Sequence, residues 1–229
     1  MKVFEITSSE QLEHVKMFLA QSADRAQNDG TNNDRRRAVE AIIQDVRTRG
    51  DAALVDYTKR FDGVSLETDQ LELTEEDMNK AAAAVPKATI AMLERAHENI
   101  RTFHSKNLRE SWEESLPDGS MYGQRITPIE IAGVYVPGGK AYYPSSVLMN
   151  IVPARVAGVK TIVMASPPSY NGSIHPSVLA AARLAGVSRV FRVGGVQAIA
   201  ALAYGTESVP SVVKITGPGN AYVTVAKSM

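Results

Sequence analysis

Cysteine is missing from all 229 residues. That excludes disulfides, thiolate nucleophiles and Cys-ligated zinc within the chain, and it fits a reducing compartment. Net charge is missing as well: 25 Lys plus Arg stand against 25 Asp plus Glu, so no overall field favours nucleic acid or an anionic membrane, and small-molecule chemistry gains by default. No apolar run approaches the roughly 18 residues that a membrane span needs, and the opening MKVFEITSSEQ has no apolar signal core. Together these absences describe a cytoplasmic protein with neither nucleic acid nor membrane as partner. Catalytic side chains are scarce too. The chain has 4 histidines, of which only His175 falls in the second half. There is no HExxH and no Ser-His-Asp order with a nucleophile elbow, so general-base or metal chemistry is poorly supplied.

The length suits one large domain or two modest ones, with enough chain to bury a core either way. Thr7 with Glu10, or Ser8 with Gln11, forms a capping box that opens a helix whose Leu12, Val15 and Leu19 share a face. Residues 22–34 are polar and Asn-rich and read as a linker. The run Arg35-Arg36-Arg37 that follows reads as solvated surface at a helix start rather than as a phosphate site. Val39, Ile42, Ile43 and Val46 recur at helical spacing up to a stop at Gly50, and a further helix runs from Asp51 to Phe61 before Gly63. A short strand over 71–73 leads to Thr74, which caps a helix with Glu75, Glu76 and Asp77 in its first turn. Pro86 opens another helix, striped with Ile90, Leu93, His97, Ile100 and His104. Its two histidines stand about 10 Å apart along the axis, too far to share one ion. They read as structural, hydrogen-bonded at a domain boundary, and the isolated His14 and His175 read the same way.

Turn chemistry around Pro117-Asp118-Gly119 marks a hairpin between Trp112 and Ile126. The charged, helical first half gives way here to Val-, Ala- and Gly-rich chain, which places a domain boundary near residues 108–120. Strands over 131–136, 161–165, 189–193 and 212–216 then alternate with helices over 146–157, 177–185 and 196–204 and one beginning near Asn220. Short apolar runs alternating with Ala-rich helices argue for a parallel sheet covered on both faces. Each strand ends in a similar turn: PGG at 137–139, SPP at 166–168, VGG at 193–195 and TGPGN at 216–220. In an open α/β sheet, ligands sit beyond the carboxyl ends of the strands. The four turns and the helix N-termini behind them are therefore expected to converge on one crevice suited to an anionic ligand.

Two phosphate-binding patterns come close there without matching. From Gly133 the chain resembles a P-loop, yet Gly139 stands where Lys is required, Lys140 is followed by Ala141, and Gly133 lies inside the strand. Gly217-Pro218-Gly219-Asn220-Ala221-Tyr222 begins like a dinucleotide fingerprint, but a tyrosine replaces the third glycine, which permits close helix packing. One such turn is as well explained by a tight strand-to-helix connection of no function; four in one sheet weaken that explanation. Gln197 and Asn220 sit at helix starts facing the crevice, where their amides can read a ribose or an amide group. Tyr135, just before the first turn, is either a wall for a nucleotide or plain core. The residues by themselves describe a nucleotide-binding α/β module.

Taken together, IRTFH (100–104), GVYVPGGKAYYPSSVLM (133–149), PARVAG (153–158), SPP, VGGVQAIAALAYGTESVP (193–210) and KITGPGNAYVTVAK (214–227) closely resemble the histidinol dehydrogenases, and the similarity runs along nearly the whole chain. The resemblance implies an α/β fold: an incomplete Rossmann-like NAD-binding domain over 111–229, its parallel sheet carrying helices on both faces, after a mainly helical segment over 1–110 that belongs to a second, incomplete α/β domain. It also implies an NAD-dependent, zinc-requiring oxidation of L-histidinol through L-histidinal to L-histidine, the last steps of histidine biosynthesis, in a homodimer with sites shared between subunits. The family's NAD contacts fall on Tyr135, Gln197 and Asn220, the three positions already singled out. Family chains are about twice as long, and their zinc ligands (Gln, His, Asp, His) and Glu-His acid/base pair lie downstream of GPGN. This chain runs to Met229 inside a helix with no Gly or Pro stop. The expectation is a truncated chain with no catalytic or metal-binding residue of its own, inactive alone, whose first helices expose apolar surface. The rivals are a dehydrogenase of another small amino- or sulfo-alcohol and a non-catalytic nucleotide-binding or dimerisation fragment.

Overall fold

The computed structural model describes residues 8–17, 30–139 and 141–229. Helix α1 covers residues 9–17 and is capped by Ser8, whose Oγ accepts a hydrogen bond from Gln11 N–H at 3.3 Å. Thr7, Leu19 and most of the expected linker lie outside the described residues. Helix α2 (Gly30–Arg49) begins inside that linker, a correction with a simple cause: an exposed, polar first turn carries no apolar period to mark it. Helix α3 (Asp51–Asp62) ends where expected, at Gly63, whose φ of 69° is left-handed and whose N–H bonds Lys59 O. Strand β1 (Glu72–Leu73) and helix α4 (Glu75–Ala83) follow. Thr74 and Asp77 close a capping box on α4, each side chain accepting the other's backbone N–H at 3.1 and 3.0 Å. Helix α5 (Lys87–Ser105) carries the histidine stripe, but His97 and His104 are only half-buried and neither ring hydrogen-bonds among the described residues. Strands β2 (Trp112–Ser115) and β3 (Met121–Gln124) form the expected hairpin, fully exposed.

The second half delivers β4 (Ile131–Tyr135), α6 (Pro144–Val156), β5 (Thr161–Ala165), α7 (Pro176–Leu184), β6 (Arg189–Phe191), α8 (Gly195–Tyr204), β7 (Lys214–Thr216) and α9 (Ala221–Ser228). The sheet order is β1-β6-β5-β4-β7. The pairs β4/β5, β4/β7 and β5/β6 are parallel, while β1 joins β6 antiparallel at the edge. There the Glu72 carboxylate accepts from Nε and Nη2 along one edge of the Arg189 guanidinium, at 2.7 and 2.6 Å.

Alternation along the strands makes two cores. Tyr135, Val163, Ala165 and Phe191 pack with α2, α3, α8 and α9, while Ala132, Val134, Ile162, Met164 and Val190 pack with α4 to α7 on the opposite face. Helices therefore cover both faces, and β4 to β7 all open their carboxyl ends at one edge of the sheet. Two stretches of the second half are structural clamps. In GTESVP, Thr206 Oγ1 and Ser208 Oγ donate at 2.5 Å each to the carboxylate of Asp51, at the start of α3, and Glu207 Oε2 accepts from Asp51 N–H at 2.8 Å. In PARVAG, the Arg155 guanidinium donates to the carbonyls of Val159, Lys160 and Gly186. His175 is not isolated: it caps α7 by accepting from Ser177 N–H at 3.2 Å and stacks on Tyr142, with ring centroids 3.8 Å apart.

Candidate functional site

The strand ends and the last turn of α3 enclose a cleft of ≈ 740 Å³. Pro137, Gly138 and Gly139 line it from the first turn, Pro167 and Ser169 from the second, Gly195 from the third and Asn220 from the fourth. All four turns thus meet. Such close backbone approach needs glycine at two points in particular. At Gly217, with φ of 113°, a Cβ would overlap the carbonyl oxygen of Tyr135, and at Gly194 it would stand 2.6 Å from Pro167 Cβ.

Tyr135, Gln197 and Asn220 all line this cleft. Tyr135 is 4% exposed; its ring belongs to the core on the α8 face, and its hydroxyl accepts from Gly195 N–H at 3.1 Å. Core and wall are the same residue. Burial pushes the Tyr135 hydroxyl above its ordinary pKa, and the nearby Asp62 carboxylate adds to the push.

Gln197 is 1% exposed, and its Oε1 and Nε2 are both wholly covered without a hydrogen-bond partner. An unpaired buried polar group costs roughly 1–3 kcal/mol, so a native chain that keeps a whole amide in this state calls for a reason. Asn220 is used differently from the expectation of a side chain free to read with both donor and acceptor. As N-cap of α9 its Oδ1 accepts from Tyr222 N–H and Val223 N–H, both at 3.0 Å. The carbonyl is committed to the helix, and the NH2 remains to donate outward.

Lining residues that escaped the sequence reading include Tyr57, Arg60, Phe61, Asp62 and Tyr222. Tyr222 occupies the third-glycine position of the partial fingerprint, yet it is 47% exposed and lines the cleft, so it obstructs no helix packing. The Arg35 guanidinium of α2 lies 5.4 Å from its ring centroid. Arg35 therefore belongs to the rim of the cleft, whereas Arg36 and Arg37 are the solvated surface expected of all three. Phe61 is 51% exposed and stacks on Tyr57 with centroids 5.5 Å apart. No spacing within α3 singles them out: Asp62 continues the i, i+4 line of the buried Leu54 and Thr58, and Phe61 stands beside it, just before the stop glycine.

The family model for histidinol dehydrogenase matches residues 25–229. The chain belongs to the histidinol dehydrogenase family. It is 55% identical over 194 residues to the histidinol dehydrogenase of Geobacillus kaustophilus, covering 85% of this chain and 45% of that one. With the histidinol dehydrogenase of a Synechococcus species it shares 46% over 218 residues, covering 95% and 50%. A crystal structure of histidinol dehydrogenase from Elizabethkingia anophelis matches it with a TM-score of 0.79 at 36% identity, over 84% of this chain and 44% of that one. The chain spans about half the length of these histidinol dehydrogenases.

The cofactors that histidinol dehydrogenase membership implies fit this half unequally. A dinucleotide suits the cleft: an orphaned buried amide, glycine turns with no side chain in the way, and exposed aromatic rings surround it. Zinc does not suit it. Among the described residues no group of three or more His, Cys, Asp or Glu is placed to hold a metal ion. No helix among the described residues is long and apolar enough to cross a membrane.

Proposed function

We propose that the cleft binds NAD+ and that the chain is the cofactor-binding part of an NAD-dependent, zinc-requiring enzyme that oxidises L-histidinol through L-histidinal to L-histidine in a cytoplasmic homodimer. In this reading residues 111–229 form the Rossmann-like NAD-binding domain, and residues 1–110 belong to a first domain whose α2 and α3 wall the cleft. The observation that carries it is the Gln197 amide, fully buried and unpartnered at the meeting point of four strand-end turns. Bound NAD+ would accept hydride from the alcohol carbon. The protein's own share is binding and orientation. Gln197 supplies donor and acceptor groups that water does not reach, Asn220 donates through its NH2, and the glycine turns let the diphosphate come close to the backbone. Tyr135 fixes Gly195 through its hydroxyl and so holds the third turn open.

Donors for zinc and the acid/base pair are assigned to the part of the relatives' length that this chain does not span. The pure chain with zinc, NAD+ and histidinol is therefore expected to form no NADH, and steady zinc-dependent turnover would overturn that. Calorimetric titration with NAD+ tests the binding role. Weak binding is expected, lost in Gln197→Ala and in Asn220→Ala, and equal curves for all three proteins would end the assignment.

A further inference from the structure

Asp62 lines the cleft without a partner for its Oδ2 among the described residues. It is the last residue of α3, where the helix dipole disfavours negative charge. Its Oδ2 is wholly covered and hydrogen-bonds to nothing among the described residues. No other carboxylate among them lines the cleft. Burial raises its pKa from 3.8 to about 6. The remaining ionisable groups there are Tyr57 and Arg60 on α3, Tyr135 on β4 and Tyr222 on α9, with Arg35 of α2 over the Tyr222 ring. Arg60 lies 5.3 Å from the Phe61 ring centroid and forms no ion pair with Asp62. The Asp62 carboxylate and the Gln197 amide thus line one cleft, both unsatisfied, from elements on different sides of it. An ionised carboxylate accepts only, and adjacent hydroxyls that each donate one hydrogen bond match it. The last torsion of an Asp side chain is broad, so either oxygen can turn to the cleft.

We infer that Asp62 accepts hydrogen bonds from the vicinal hydroxyls of a bound nucleotide's ribose and is a binding residue of the cleft alongside Gln197. An acidic side chain reading a ribose is a device that other dinucleotide folds also use. The assignment rests on the NAD+ reading and adds a testable consequence to it. Donors that bond the ionised form favour it, so nucleotide binding drives the proton off Asp62. At pH 6 about half of the free carboxyl is protonated, so about half a proton leaves per nucleotide bound, and almost none leaves at pH 8. The phosphates of the ligand push the opposite way, so the sign of the exchange is decisive.

The experiment is calorimetry of NAD+ binding at pH 6 and pH 8, each in two buffers of unlike ionisation enthalpy, with wild type and Asp62→Asn. Adenosine and nicotinamide riboside, which have no group titrating near pH 6, serve as separate probes of the two riboses. The expected result is release of about half a proton at pH 6 by wild type, no exchange in Asp62→Asn, and binding about tenfold weaker in the variant. The nucleoside carrying the ribose that Asp62 reads repeats the pattern. Proton uptake or no exchange in wild type overturns the inference, as does wild-type affinity in Asp62→Asn. NAD+ binding with Gln197 needed but Asp62 silent fells this inference alone, whereas no binding of any probe by wild type fells the NAD+ reading with it. Asparagine is isosteric with aspartate and removes a buried charge, and a thermal melt confirms that the variant is folded.

Discussion

Replacing Asp51 by alanine tests how the two halves of the cleft are held together. Asp51 is 5% exposed and ties the start of α3 to the loop after α8, 155 residues away, through Thr206 and Ser208. A hydrogen bond to a charged group contributes about 1.5–3 kcal/mol net, and the two from the hydroxyls are lost together with a longer one from Ser208 N–H at 3.4 Å. Thr206 and Ser208 are only half-buried, so water recovers part of that loss, and the expected cost is about 3 kcal/mol. For a domain of this size that corresponds to a fall in Tm of roughly 6–12 °C. Asp51→Asn keeps one acceptor and should lose about half as much. Urea denaturation at pH 7 followed by circular dichroism measures both, and a cycle with Ser208→Ala should give a coupling of about 1–2 kcal/mol. A loss below about 0.5 kcal/mol with no coupling would refute the clamp. The consequence reaches the cleft, because Phe61 and Asp62 lie at the far end of α3, about 16 Å along its axis at 1.5 Å per residue.

Gln197→Leu should raise stability by about 1–2 kcal/mol in the same assay while abolishing NAD+ binding, since it replaces an unpaired buried amide by an apolar group of similar size; a fall in the urea midpoint would mean that the amide is satisfied in the empty chain. Gly217→Ala should destabilise by about 2 kcal/mol or more, because the added Cβ meets the Tyr135 carbonyl at a left-handed φ, and a neutral result would contradict the turn geometry. The native pKa of Asp62 is raised to about 6, so its contribution to stability is full below pH 4 and is lost as pH rises through 6. Asp62→Asn should flatten that slope and stabilise the chain at pH 7 by about 1 kcal/mol, a figure discounted for the part of the group that water screens; an unchanged pH profile would contradict the raised pKa.

Features written in local pattern were legible in the sequence. β5 spans 161–165 as expected, because a buried apolar run between turn residues has few alternatives. The Thr74 cap and the Gly63 stop follow from side chains a few residues apart. β6 ends at Phe191 rather than 193, since its ladder with β5 runs out at the Ala165 pair. Features written in long-range pairing left no local trace. Nothing near Glu72 announces an antiparallel partner at Phe191, and nothing near Asp51 announces Thr206 and Ser208. The cleft divides along the same line. Its strand-end glycines carry a periodic signal, whereas Phe61 and Asp62 reach it only because α3 packs beside α8, which no spacing within α3 encodes.

The most direct test of NAD+ binding at the strand-end cleft is an amide proton–nitrogen NMR titration of the chain with NAD+. Shifts should concentrate on the backbone of Gly138 and Gly195 and on the side-chain NH2 groups of Gln197 and Asn220. Saturable shifts confined to those groups and their neighbours would bear the claim out, while shifts centred elsewhere, or none at millimolar NAD+, would contradict it.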